Sequence, residues 1–231
     1  MGKDFIKVIL KEKNVDEIWL IARRKERLET LVKKYGKILR AIPLDLTEMS
    51  SYEVLKQMLA LEQPNIKYLV NAAGAGRMGN VETIDYKEHS FVLDINVRSL
   101  TNMTTICLPY MGKSSHIIQL CSGSAFLPQP GFASYAASKS YVLSFSRALR
   151  RELKSRDIYV TAVCPGPVKT EFFEVAGSEV HPSKKAFMAE SKAVVKKAMK
   201  DAKAGKELSI YGWSIKLVHL VGKILPTRVV L

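Results

Sequence analysis

The sequence predicts an α/β fold, a doubly wound parallel sheet in three layers of helix, sheet and helix. Short β-rich apolar runs alternate with longer stretches of helical period along the whole chain, the pattern of parallel strands joined by crossover helices. Several runs, Tyr159 to Cys164 among them, are apolar almost throughout, as strands covered on both faces should be. At 231 residues the chain is long enough for one substantial core, so a single domain spanning 1–231 is expected.

The strands are predicted at Glu17–Ala22, Lys37–Pro43, Tyr68–Asn71, His116–Cys121, Tyr159–Cys164 and Glu207–Tyr211. Helical patterns fill Lys3–Lys13, Arg24–Tyr35, Ser50–Leu61, Tyr86–Met111, Ser134–Ser155 and Ala186–Lys203. Thr47 to Ser50 supplies capping oxygens ahead of Tyr52, and Gly36 follows the last turn of the second helix. A doubly wound nucleotide-binding unit opens with a strand whose C-terminal turn presents glycines to a phosphate. This chain opens with a helix, so the first strand of the unit is expected to be missing from it.

Composition narrows the classes of partner. The chain is 47% hydrophobic and 25% charged, with mean hydropathy +0.00, which is ordinary for a soluble protein. No apolar run is long enough to span a bilayer, and Lys3, Asp4, Lys7 and Lys11 interrupt any signal-peptide core. Cys107, Cys121 and Cys164 lack metal-ligand spacing and sit in apolar segments, which reads as reduced, buried thiols in a cytoplasmic protein. The net charge of +14 invites nucleic acid, an anionic membrane or an anionic small molecule. The charge is spread along the chain, with no interleaved aromatic platform and no zinc-finger pattern. Nucleic acid is therefore not expected, and solvated helix faces account for most of the lysines.

Two Tyr-x-x-x-Lys pairs occur, Tyr52–Lys56 and Tyr135–Lys139. At i and i+4 the phenol and ammonium share a helix face, and a nearby cation favours phenolate. Context separates the pairs. Tyr135 follows a strand ending in Ser122 and a loop rich in Gly, Ser and Pro, which brings it to the crevice where such folds bind ligands. Tyr52–Lys56 reads as solvent-facing decoration. Ser122 alone would equally be a turn serine.

Taken together, Ser122, Tyr135 and Lys139 resemble the active-site signature of the short-chain dehydrogenase/reductase family. Asn71-Ala72-Ala-Gly74, Asn96, Asp45-Leu46 and the run from Pro165-Gly166 through Val168 to Thr170 fall in the family's order. The resemblance runs from Met1 to about Tyr211 and implies a Rossmann-like fold. It implies that Tyr135 is the general acid or base and that Lys139 depresses its pKa and bonds the nicotinamide ribose. It further implies that Ser122 holds the carbonyl oxygen and that Asn96 supports a water leading from Lys139 to solvent. Asn71, Ala72 and Gly74 would face the adenine ribose, Asp45 and Leu46 the adenine, and Pro165, Gly166, Val168 and Thr170 the carboxamide. The bland counterparts are a turn at Asn71–Gly74, a helix cap at Asp45, a helix-distorting Asn96 and a proline-glycine loop.

An NAD enzyme presents an acidic residue after the second strand. Here Ala22 is followed by Arg23, Arg24 and Lys25, and guanidinium suits a 2′-phosphate. NADP(H) is expected, with Arg23 and Arg24 as contacts and NAD(H) as the alternative. Gly2 matches the last glycine of the family's phosphate loop. A start inside a longer chain, with Met1 internal to it, is the favoured explanation. The sequence as printed is expected to be unstable and inactive, because two strand edges inside the core would lose their partners.

Residues 171–206 correspond to the family's substrate loop, where Phe172, Phe173, Val175 and Phe187 either line an apolar pocket or pack. Lys184–Lys206 reads as a basic, mostly solvated helix. The tail 211–231 is amphipathic, with Lys216, His219, Lys223 and Arg228 among apolar residues. It could close the domain, meet a second subunit of a homodimer or homotetramer, or lie on a membrane. The expected activity is ketone–alcohol interconversion on an apolar small molecule; the competing function is a catalytically silent binding module.

Overall fold

The computed structural model describes residues 1–177 and 188–224. Strands β1 (Ile18–Ile21), β2 (Leu39–Ile42), β3 (Tyr68–Asn71), β4 (His116–Leu120), β5 (Tyr159–Pro165) and β8 (Leu208–Tyr211) fall within a residue or two of the expected runs. All their pairings are parallel. Helices α1 (Gly2–Ile9), α2 (Lys25–Tyr35), α3 (Met49–Glu62), α6 (Ala133–Glu152) and α8 (Ser191–Lys203) also match, with Ala186 and Phe187 outside the described residues. Gly36, at φ 87°, ends α2 in a conformation open mainly to glycine.

The layers follow from which faces are apolar. Phe5 and Ile9 of α1 join Val194, Val195, Ala198 and Met199 of α8 on one side of β4 and β5, against Ile118, Leu120 and Val163. Leu55 and Leu59 of α3, Met103 and Cys107 of α5 (Ser99–Cys107) and Leu149 of α6 cover the other side, against Ile117 and Val160. The alternation of Ile117 and Ile118 between layers is the period of a strand buried on both faces. Helix α8 is thus a core helix on one face, not mostly solvated. Its Asp201 is buried and bonded to Lys197, Lys206 and Ser209, and those donors hold its carboxyl down to about 2 against the opposing effect of burial.

The long helix expected over Tyr86–Met111 is broken. Helix α4 (Tyr86–Leu93), capped by the Asp85 side chain on the Lys87 amide at 2.8 Å, gives way to a π turn over Asp94–Arg98 before α5 begins. Asn96 lies in that turn and its amide is clamped to the backbone of Ala75, which a straight α-helix has no means to signal in its apolar period. A short pair, β6 (Val168–Lys169) with β7 (Ala189–Glu190), and a one-turn α7 (Phe172–Val175) were not legible, since elements this short carry no period.

The sheet is in two pieces. β1 pairs with β2, while β3, β4, β5 and β8 form a separate four-stranded sheet. Between β1 and β3 lies a cavity of about 600 Å³ lined by Ile18–Ile21 and Tyr68–Asn71. Phe5, Ile6 and Ile9 wall one side of it, and Leu55, Leu59, Leu100 and Met103 the other. The space is thus bounded by a strand on either side and by a helix layer on either face, as the interior of a sheet is.

Candidate active site

The C-terminal ends of β3, β4 and β5 open onto one crevice, and each contributes a loop to it. After β4 the chain passes through Ser122 into a tight turn, Gly123–Ala125, in which the Ser122 hydroxyl accepts from the Ser124 amide at 3.1 Å. Helix α6 then presents Tyr135 and, one turn on, Lys139, both buried. The Ser122 hydroxyl itself bonds the Ser124 hydroxyl at 3.2 Å, and it lies near enough to Tyr135 to act on the phenol. The Lys139 ammonium lies 5.6 Å from the centre of the Tyr135 ring and donates to the Leu120 carbonyl at 2.8 Å. The three residues thus share one end of the sheet, where β4 ends and α6 begins.

The electrostatics differ from the expected acidification of Tyr135. Burial pushes the phenol well above its ordinary range, with the Ser122 hydrogen bond pulling the other way. Burial also lowers Lys139 to about 8, because a desolvated ammonium is costly. Both groups are driven toward their neutral forms by the same dry surroundings. A neutral phenol is the proton-loaded form of a general acid.

Asn96 is fully engaged. Its Oδ1 accepts from the Ala75 amide at 2.9 Å, and its Nδ2 donates to the Ala75 carbonyl at 2.8 Å and to the Ser138 hydroxyl at 3.0 Å. It pins the loop after β3 to the catalytic helix. Gly74, just before, is the reason the loop approaches so closely: a Cβ there would stand 3.1 Å from Asn96 Oδ1 and 3.6 Å from Lys139 Nζ.

The other expected binding residues separate into two groups. Arg23 and Arg24 are exposed after β1; Arg23 stacks over Phe91 at 5.4 Å and reaches to 3.8 Å from Asp45. Asp45 itself accepts from the Thr47 amide and hydroxyl at 2.9 and 2.8 Å, so it caps its own turn as well as facing Arg23. Gly2 lies beside Ala72, 4.0 Å from its Cβ to the position a Gly2 Cβ would take. Thr170 and Gly166 are half-buried on the loop after β5. By contrast, Leu46 and Val168 are core residues, and Pro165 is buried at the end of β5. The Asn71 side chain is spent inside the fold, donating to Thr104 at 3.0 Å and to Gln119 at 2.9 Å. Only the backbone of that turn is left to meet a ligand.

Tyr52 is a correction. It is 2% exposed and its hydroxyl bonds the Leu46 carbonyl, so this tyrosine is part of the core. Its partner in spacing, Lys56, turns outward to Glu53 at 3.0 Å. The i+4 spacing cannot report which side of the helix is inward.

Phe132 was not singled out in the sequence, which also left Phe172 and the tail between alternative roles. Phe132 stacks on Tyr135 at 4.3 Å, and Phe172 packs on the same ring at 5.2 Å, with Gly76 leaving room for both. Phe172 thus walls the crevice, whereas Val175 is exposed and Phe187 is outside the described residues. Helix α9 (Trp213–Ile224) packs on the crevice from above: Ile215 contacts Gly123 and Gly166, and the His219 ring lies tilted against Phe126 with centroids 4.3 Å apart.

A family model described as short chain dehydrogenase matches residues 1–180. The chain is similar to a serine 3-dehydrogenase of Agrobacterium fabrum, 32% identical over 68% of this chain and 66% of that protein. It is also similar to the 3-oxoacyl-[acyl-carrier-protein] reductase FabG of Thermotoga maritima, 30% identical over 65% of this chain and 63% of that protein. Among solved structures, a short-chain dehydrogenase from Sphingobium yanoikuyae in complex with NADPH superposes with TM-score 0.82 at 24% identity, covering 96% of this chain and 88% of that one. A Burkholderia phymatum protein in complex with NAD superposes with TM-score 0.80 at 17% identity, covering 95% and 88%. The aligned stretches span between 55% and 69% of several relatives' own lengths.

Proposed function

Since the chain belongs to the short-chain dehydrogenase/reductase family, we propose that it interconverts a ketone and a secondary alcohol with NADP(H), Tyr135 serving as general acid or base. The observation that carries this reading is the buried Tyr135–Lys139 pair, its ammonium 5.6 Å from the phenol ring, set beside Ser122 at the end of a parallel strand. The relatives named as a serine dehydrogenase and an oxoacyl reductase accord with exchange between hydroxyl and carbonyl.

The residues present fit a dinucleotide. Gly74 keeps open the space beside Lys139 that a side chain would fill, and no carboxylate follows β1, where Arg23 and Arg24 are exposed. Two guanidinium groups there favour a 2′-phosphate over a 2′-hydroxyl, hence NADP(H) over NAD(H). The bound cofactor supplies the hydride that no side chain of the protein can. In the reducing direction Ser122 donates to the carbonyl oxygen and Tyr135 gives that oxygen its proton as charge develops there. Lys139, when protonated, stabilises the phenolate left behind. Phe132 and Phe172 exclude water from the Tyr135 ring and suit an apolar substituent on the substrate.

NADPH oxidation followed against a panel of ketones tests this. Turnover that falls by about 10²- to 10⁴-fold in Tyr135→Phe, with nucleotide binding retained, supports it; an active Tyr135→Phe refutes it. A second reading, a nucleotide-binding module without turnover, draws on the unfilled space between β1 and β3. Binding of NADPH with no oxidation of any ketone or alcohol would select it.

A further inference from the structure

Helix α9 has two distinct apolar faces, and only one is covered among the described residues. Ile215, His219 and Gly222 face inward, at spacings of four and three. Ile215 contacts Gly123 and Gly166, His219 meets Phe126, and Gly222 lies so close to the Phe126 carbonyl that a Cβ would stand 2.7 Å from it. Trp213, Leu217, Leu220 and Ile224 follow the same rhythm on the opposite side. They are 78%, 52%, 53% and 68% exposed. Lys216 and Lys223 flank this outer stripe, and the helix contains no acidic residue. No helix among the described residues is long and apolar enough to cross a bilayer.

We propose that α9 docks the protein on an anionic lipid surface, its Trp213–Ile224 stripe in the acyl boundary and its lysines at the headgroups. Charge complementarity selects the partner: a tryptophan and three aliphatic side chains with a lysine rim, on a chain of net charge +14, match the interfacial helix pattern. A second copy fits less well. The four side chains offer roughly 500 Å², short of the ~800 Å² per partner of a stable dimer. An isologous contact would also set Lys216 and Lys223 against a surface with no carboxylate on the same helix to answer them. The inner face of α9 rests on the loop that follows Ser122, so docking would set the crevice at the lipid boundary. The docking itself does not depend on the reaction assigned above.

The test is co-sedimentation of the full chain with phosphatidylcholine vesicles containing phosphatidylglycerol, and with phosphatidylcholine alone. Trp213 emission, isolated in a Trp19→Phe background, gives a second readout. The expected result is pelleting on the anionic vesicles, a blue shift, and weakening at high salt. In L217S/L220S, whose substituted side chains are both more than half exposed, affinity should fall by at least about tenfold. Circular dichroism would show that the variant is folded. No binding of the unaltered chain at low salt overturns the proposal, and so does equal binding by L217S/L220S. A chain that sediments as a dimer, becomes a monomer in L217S/L220S and leaves vesicles untouched would assign the stripe to a second copy instead.

Discussion

The ammonium of Lys139 is buried and donates its 2.8 Å hydrogen bond to the carbonyl of Leu120, at the end of the neighbouring strand. A cation is thereby held in the driest part of the site, at a pKa of about 8 where 10.5 is ordinary. The unfolded chain binds this proton more readily than the folded one between those values, so the group's contribution to stability rises with pH across that window. Below about pH 8 the full penalty applies, on the order of 3 kcal/mol, offset in part by the ~1 kcal/mol hydrogen bond. Lys139→Met should therefore be more stable than the unaltered protein at pH 7, by about 2 kcal/mol, while losing activity. Urea unfolding at pH 7 and pH 10 checks this; the advantage should shrink at the higher pH.

Gly74→Ala should loosen the site chiefly through Asn96, its methyl meeting Lys139 Nζ at ordinary van der Waals distance, 3.6 Å. The added methyl would press on Asn96 Oδ1 at 3.1 Å, and Asn96 holds the Ala75 backbone by two hydrogen bonds. A loss of about 1–3 kcal/mol is expected from such overpacking, together with weaker NADPH binding. Thermal unfolding and nucleotide titration measure both.

Arg23→Glu should exchange cofactor preference. Arg23 is exposed and 3.8 Å from Asp45, so the reversed charge meets a carboxylate and also repels a 2′-phosphate. The KM for NADPH should rise by about ten- to a hundredfold, as loss of a charge-assisted contact implies, with NADH much less affected. An unchanged ratio of kcat/KM for the two cofactors would remove Arg23 from the 2′-phosphate site.

The space between β1 and β3 should accept a strand. Its walls are apolar on both faces, from Phe5, Ile6 and Ile9 on one side and Leu55, Leu59 and Met103 on the other. A peptide of about five or six residues rich in Val and Ile should raise Tm in a concentration-dependent way and tighten NADPH binding. The same peptide with Asp at its central positions should do neither. Isothermal titration and thermal scans distinguish them.

Much of the fold was legible in the residues. The alternation of apolar runs and helical periods placed the main strands and the order of layers, because burial on one or both faces writes a period into the sequence. Ser122, Tyr135 and Lys139 were legible as a set through their resemblance to a family signature, with strand, loop and helix supplying them in that order. Tyr52 was not, since the same i+4 spacing serves a core hydroxyl bonded to Leu46. Nor was the commitment of Asn71 to Thr104 and Gln119, which lie far along the chain from it.

The sequence by itself determined which segments must be strands and that the first strand of the unit is not among them, because both depend on local period; the hydroxyls and cation were picked out by resemblance to a family signature. Only the tertiary structure decided that Asn96 lies in a π turn bonded to Ala75 and that Lys139 turns to Leu120. It alone decided that one face of α9 covers the crevice while the other stays bare. These are contacts between residues distant in the chain, made where a glycine permits close approach or a buried amide needs a partner, and neither condition leaves a periodic trace.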